Sequence, residues 1–255
     1  MARGRTRRPH RPRRDERGIF HDAARQRGAF QRQLRPMRIG IIGAGHIGGT
    51  LTRRLRTLGH DVVVANSRGP ETLTALATET GARAVTTSEA PRGRDLVIIT
   101  IPLKAIPHLP KDLFAGVSAA TIVVDTGNYY PRRDGRIDAI ETGTTESRWV
   151  ARQLGRPVVK ALNTIHAARL LELGRPAGQP GRIGIPVAGD EPAAKAVVLK
   201  LVEDLGFDAV DAGGLDDSWR QQPGTPAYGA NLDGPGVRLA LAEAPRERPA
   251  QFRAG

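Results

Sequence analysis

Residues 38–48, Arg38-Ile39-Gly40-Ile41-Ile42-Gly43-Ala44-Gly45-His46-Ile47-Gly48, constrain this chain more than any other stretch. An apolar run of the length of one buried parallel strand comes first. Gly43, Gly45 and Gly48 follow at G-x-G-x-x-G spacing, and Ile47, Leu51, Leu55 and Leu58 then recur at helical intervals up to Gly59, a helix-ending glycine. Each glycine has a mechanical reason: Gly43 permits a tight turn, Gly45 lets a pyrophosphate approach the backbone, and Gly48 lets helix and strand pack closely. The helix start offers unpaired N–H groups and the positive end of its dipole. Because the glycines stand between a strand and a helix, Gly43, Ala44, Gly45, His46, Ile47 and Gly48 are predicted to bind a dinucleotide.

Downstream the pattern alternates between strand and helix. Strands are expected at Asp61–Asn66, Ala82–Thr86, Asp95–Ile101, Thr121–Asp125, Pro157–Leu162, Arg182–Ala188 and Phe207–Asp211. Helices are expected at Pro70–Thr80, Leu103–Phe114, Ser147–Gly155 and Asp190–Leu205. Such alternation predicts an α/β fold, a doubly wound and mostly parallel sheet of the Rossmann, NAD(P)-binding kind, over residues 37–213. Residues 214–255 turn Gly/Pro-rich and read as a short irregular C-terminal arm, Trp219–Tyr228, with one short helix at Gly236–Ala244.

The net charge of +13 is lopsided. Residues 1–36 hold twelve arginines against three acids, while residues 37–255 hold 27 basic and 23 acidic residues. The charge therefore describes an Arg-rich tail, expected to be disordered, and not a nucleic-acid-binding surface. Met37 stands directly before the first strand and reads as an alternative start. Without cysteine there is no disulfide, thiolate metal site or cysteine nucleophile. The six histidines show no metal-ligand spacing, so no metal is expected. No apolar stretch approaches the roughly 18–20 residues that span a bilayer, and no signal h-region follows the paired arginines. The expectation is a cytoplasmic protein whose partners are small molecules, with no specific nucleic acid, no membrane, and a homodimer left open.

The end of the second predicted strand reads Asn66-Ser67-Arg68. An acidic residue there would bind the ribose diol of NAD; a hydroxyl and a guanidinium suit the 2′-phosphate of NADP(H) instead. The competing reading has Ser67 capping the helix near Pro70 and Arg68 as a solvated surface charge.

These residues carry a family resemblance. GIIGAGHIGGTLTRRLRTLGHDVVVANSRGP, then Thr100-Ile101-Pro102, LNTIHAARL and DAGGL, resemble the coenzyme F420-dependent NADP oxidoreductases and their bacterial dinucleotide-binding relatives, from Met37 to about Ala244. The resemblance implies hydride transfer between NADPH and a 5-deazaflavin, coenzyme F420. It implies that Asn66, Ser67 and Arg68 form the 2′-phosphate turn and that Thr100, Ile101 and Pro102 border the nicotinamide. It also implies that Asn163, Thr164 and Ile165 line the hydride-transfer site, although Asn163 and His166 depart from the family's His-Thr-Ile-Pro pattern and the Trp219–Tyr228 arm replaces its longer C-terminal helical segment.

Hydride transfer between two bound rings needs little acid–base help. Reduction of a carbonyl or imine would need a proton donor. Lys160 is the first candidate for that role, against a snorkelling lysine at a strand edge. His166, just past the same strand, is a candidate acceptor contact. Asp125-Thr126-Gly127-Asn128 ends a strand at the ligand face, and Trp219 and Tyr228 either cover a flat ring or anchor the arm. The leading expectation is an NADPH-dependent oxidoreductase acting on F420 or a related flavin-like cofactor. The alternatives are a small carbonyl or imine reductase and a non-catalytic NADP(H)-binding sensor.

Overall fold

The structure is a computed structural model and describes Met1 and residues 35–254. The Arg-rich segment expected to be disordered lies almost wholly outside the described residues. Residues 35–254 belong to one compact unit.

Six parallel strands form the main sheet: β1 (Arg38–Ile42), β2 (Asp61–Ala65), β3 (Arg83–Ala84), β4 (Leu96–Ile99), β5 (Ile122–Asp125) and β6 (Val159–Lys160). Their order is β3-β2-β1-β4-β5-β6. This is the doubly wound topology, with the order reversing between β1 and β4. Side chains alternate across the strands, and both faces are apolar. Ile39, Ile41, Val62, Val64, Leu96 and Ile98 pack to one side with Leu51 and Leu55 of α1 (His46–Thr57). Ile42, Val97, Ile99 and Val123 pack to the other. There they meet Trp149 and Val150, which lie on a later helix (Glu146–Leu154). A sheet covered on both faces explains why its strands read as unbroken hydrophobic runs.

The remaining helices are α2 (Thr74–Thr80), α3 (Pro131–Asp134), α4 (Asp138–Glu141), α5 (Glu146–Leu154), α6 (Ala167–Glu172), α7 (Pro192–Asp204) and α8 (Gly234–Ala242). Several expected boundaries shift for local reasons. Leu103–Phe114 is not an α-helix: it keeps one 3-10 stretch, Leu103–His108, with Pro107 inside it. The expected strand Pro157–Leu162 keeps only Val159–Lys160, because Leu162 turns the chain into the left-handed region with φ of 61°. Strands β7 (Gly184–Val187) and β8 (Asp208–Asp211) pair in parallel with each other and not with the main sheet. Their link to it is one antiparallel bridge, in which the backbones of Lys160 and Ala188 exchange hydrogen bonds of 2.8 and 3.0 Å. The arm completes a third apolar cluster on this pair, where Ala227, Val237 and Leu241 meet Ala188 and Val210. Among the described residues no helix is long and apolar enough to cross a membrane.

His60, 2% exposed, accepts a hydrogen bond from the Met37 N–H through Nδ1 at 3.1 Å. Burial disfavours its charged form and lowers its pKa, with Asp204 opposing in part. The unfolded chain therefore takes this proton first. The His60 contribution is complete above about pH 6.5 and is lost as pH falls through the folded-state value. Thermal melts from pH 7.5 to 5.5 should show declining stability that His60→Gln flattens; equal slopes for the two proteins would refute the assignment.

Candidate functional site

The glycine turn divides its labour among three positions. Gly43 has φ of 110°, and a Cβ there would lie 2.2 Å from the Thr100 carbonyl oxygen. A Cβ on Gly48 would lie 1.8 Å from the Gly43 carbonyl oxygen, so only glycine lets α1 leave β1 this closely. A Cβ on Gly45 would meet nothing within 4 Å. Gly45 is the N-cap of α1, with no side-chain cap and no acidic residue in the first turn. The first N–H groups of the helix are thus free for an anion. They border a cleft of about 650 Å³ that Ala44, Gly45, His46, Arg53 and Arg68 help to line. Ile47 turns away and packs against the core.

Two arginines of this cleft differ in availability. Glu79 holds Arg53 through two hydrogen bonds of 2.6 Å. Arg68 is exposed and makes no ion pair among the described residues. Asn66 builds the turn that presents it: its Oδ1 accepts the Arg68 N–H at 2.9 Å, and its Nδ2 donates to the Thr72 hydroxyl at 2.8 Å. Ser67 is exposed and does not cap the following helical turn, whose N-cap is Gly69. The capping alternative for Ser67 is thereby corrected.

Thr100, Ile101 and Pro102 leave the carboxyl end of β4 beside the glycine turn, across β1 from Asn66. The Thr100 N–H extends the ladder to the Ile42 carbonyl at 2.8 Å, and the Thr126 N–H does the same to Ile99 at 3.1 Å. Thr100 and Ile101 are half-buried and Pro102 is exposed.

The segment after β6 is buried as far as Ile165. Asn163 packs inside it. It is 4% exposed, donates to Asn128 Oδ1 at 3.0 Å and the Gln221 carbonyl at 2.7 Å, and accepts from Gln221 Nε2 at 2.9 Å. Its amide braces the arm against the loop after β5. Ile165, 5% exposed, belongs to the apolar core. Thr164 is also buried, and its carbonyl accepts the Gly229 N–H at 3.0 Å. His166 is the exposed member of the group and the N-cap position of α6.

Lys160 is neither an accessible proton donor nor a snorkelling edge residue. It is 1% exposed, with Nζ donating to the Gly127 carbonyl and lying 3.4 Å from Asp125 Oδ2 and 3.8 Å from Glu146 Oε2. The Ser147 hydroxyl donates to Asp125 at 2.6 Å, and Arg248 reaches Glu146 at 2.9 Å. Two cations and two carboxylates thus neutralise one another out of water, as buried charges must. The network ties the ends of β5 and β6 to the C-terminal arm.

Sequence reasoning missed the partner of Tyr228. Its hydroxyl hydrogen-bonds that of Tyr130, in the loop after β5. Burial raises the Tyr130 pKa well above the ordinary phenol value, and the Tyr228 bond adds to it. The signal was present in Tyr129-Tyr130, but no spacing links it to a residue 98 positions away. The Arg220 and Arg246 guanidiniums lie over the Trp219 ring, at 5.4 and 5.6 Å from its centre.

The sheet order and the uncapped glycine turn define an NAD(P)-binding Rossmann protein. Residues 38–129 match the family model described as NADP oxidoreductase, coenzyme F420-dependent. The hypothetical protein SMa0349 from Sinorhizobium meliloti is 32% identical, with a TM-score of 0.65, over 78% of this chain and 95% of that one. A "putative f420 dependent nadp-reductase" from Arthrobacter sp. FB24 is 26% identical, with a TM-score of 0.58, over 70% and 85% of the two chains. YjhV of Escherichia coli (strain K12) is 55% identical over 53 residues, which span 21% of this chain and 39% of that protein. The chain belongs to the F420-dependent NADP oxidoreductase family, a family of NADP-dependent oxidoreductases.

Lys160→Met removes one member of the buried charge network and leaves Asp125 and Glu146 short of a cation. The expected loss is about 3–5 kcal/mol of unfolding free energy in urea titrations. A loss below about 1 kcal/mol would show that these carboxylates do not depend on Lys160.

Proposed function

We propose that this chain transfers hydride between NADP(H) and coenzyme F420 or a related flavin-like acceptor. The observation that carries the reading is the Asn66-braced turn. It presents Arg68, without a carboxylate partner among the described residues, into the cleft that Ala44, Gly45 and His46 also line. Ser67 and Arg68 would hold the 2′-phosphate, the Gly45–Gly48 backbone the pyrophosphate, and Thr100, Ile101 and Pro102 the nicotinamide side. When bound, NADPH supplies the hydride. The chain's own task is then to hold two rings in register, which calls for no protein acid. Supporting the acceptor are the description of the matching family and the Arthrobacter relative. The burial of Lys160 agrees, because it removes the candidate lysine donor.

The Tyr130–Tyr228 hydroxyl pair favours a second reading, reduction of a small carbonyl or imine. Tyr228 adjoins Gly229, whose N–H donates to Thr164 beyond the carboxyl end of β6. Burial raises the Tyr130 pKa, which makes this phenol a weaker acid, so the second reading rests on the position of the hydroxyl pair and not on that shift.

NADPH oxidation followed at 340 nm with F420, flavins and small carbonyls or imines separates the two. The F420 reading expects turnover with F420 and a Tyr228→Phe variant within about threefold of the parent. If F420 is inert, a carbonyl or imine is reduced, and Tyr228→Phe loses about 10²–10⁴-fold, the second reading replaces the first.

A further inference from the structure

Gln221 bonds to Asn163, whereas Gln222, next along the chain, lines a second cleft of about 890 Å³. The turn before α5, the outer face of α5 and residues 246–253 enclose it. Arg148, Arg152, Arg246, Arg248 and Arg253 line it, against the carboxylates Glu141, Asp216 and Glu247.

The pairings inside the cleft leave its charge uneven. Arg148 is held by Asp190 at 2.8 Å and Asp216 at 2.7 Å, Arg248 by Glu146 at 2.9 Å, and Arg253 by Glu247 at 2.5 Å. Glu141 already accepts from the Tyr129 hydroxyl at 2.9 Å and the Ala254 N–H at 3.0 Å. Arg152 and Arg246 remain. Arg152 reaches only the Thr144 hydroxyl, at 3.4 Å, and Arg246 lies over the Trp219 ring. Among the described residues neither has a carboxylate partner, and both are exposed. In addition, Arg248, with a side chain 10% exposed, keeps a buried Nη1 that has no hydrogen-bond partner. Unpaired guanidiniums usually spread over a convex surface, where water screens them. Here they converge in a concavity that focuses their field, beside an indole face.

We propose that this cleft binds a small polyanion, a molecule carrying two or more phosphate or carboxylate groups, with Arg152 and Arg246 as its principal donors and Trp219 as an apolar wall. Guanidinium forks suit both oxyanions. The volume is that of an organic ligand and far exceeds a single phosphate. Two sources share this chemistry: the anionic tail of the hydride acceptor, or a separate anionic effector. The inference goes beyond the proposed function and does not need the acceptor to be F420.

The test is calorimetric titration of inorganic pyrophosphate into the full chain saturated with NADPH, so that the glycine-turn site is already filled. Saturable binding is expected, weaker at high salt. The double variant Arg152→Gln/Arg246→Gln should weaken it about tenfold or more, with NADPH affinity and melting temperature unchanged. Absence of saturable binding, or binding that the double variant leaves intact, overturns the proposal. Kinetics then separate the sources. If the acceptor tail occupies the cleft, the variant raises KM for F420 but not for 5-deazariboflavin, which lacks the charged tail. If an effector does, both KM values stay unchanged while pyrophosphate binding is lost. The titration involves no turnover, so an inactive F420 assay would count against the proposed function and leave this result standing.

Discussion

The approach of Gly48 to the Gly43 carbonyl oxygen sets the geometry on which the rest of the molecule depends. No side chain fits between them, so α1 begins directly at the end of β1, with its first N–H groups turned to the cleft. Since β1 is paired on one side with β2 and on the other with β4, the carboxyl ends of these strands fall on opposite sides of that helix start. One end supplies Asn66, Ser67 and Arg68; the other supplies Thr100, Ile101 and Pro102. A dinucleotide site at the point where strand order reverses follows from this arrangement.

The far side of the sheet is held by charge. Lys160, Asp125 and Glu146 are buried at the ends of β5 and β6 and at the start of α5, and Arg248 brings the chain's last segment to them. Asn163 and Gln221 make a second tie between the same strand ends and the arm. The loops after β5 and β6 are therefore fixed by long-range polar contacts, whereas the turns after β1 and β2 rest on local backbone geometry.

That division explains what could be read from the residues alone. The glycine spacing and the apolar runs act within a few positions, so the sheet class and the glycine turn between β1 and α1 were legible. Pro107 and the left-handed Leu162 shortened elements that periodicity had extended. Lys160 lies in an apolar run that says nothing of Glu146 across the sheet, and its burial could not be anticipated. Asn163 and Ile165 were read by family resemblance as an acceptor wall. Their actual environments depend on Gln221 and on the packed core, which no local pattern encodes. The Tyr130–Tyr228 pair was hidden for the same reason.

In the proposed function the turn after β2 selects NADP(H) through Arg68. Equilibrium titration of NADPH and NADH against the parent and Arg68→Ala tests it most directly. A charge-assisted bond worth about 1.5–3 kcal/mol predicts that the substitution weakens NADPH roughly 10- to 150-fold and barely changes NADH. Equal losses for the two cofactors, or no loss for NADPH, would contradict it.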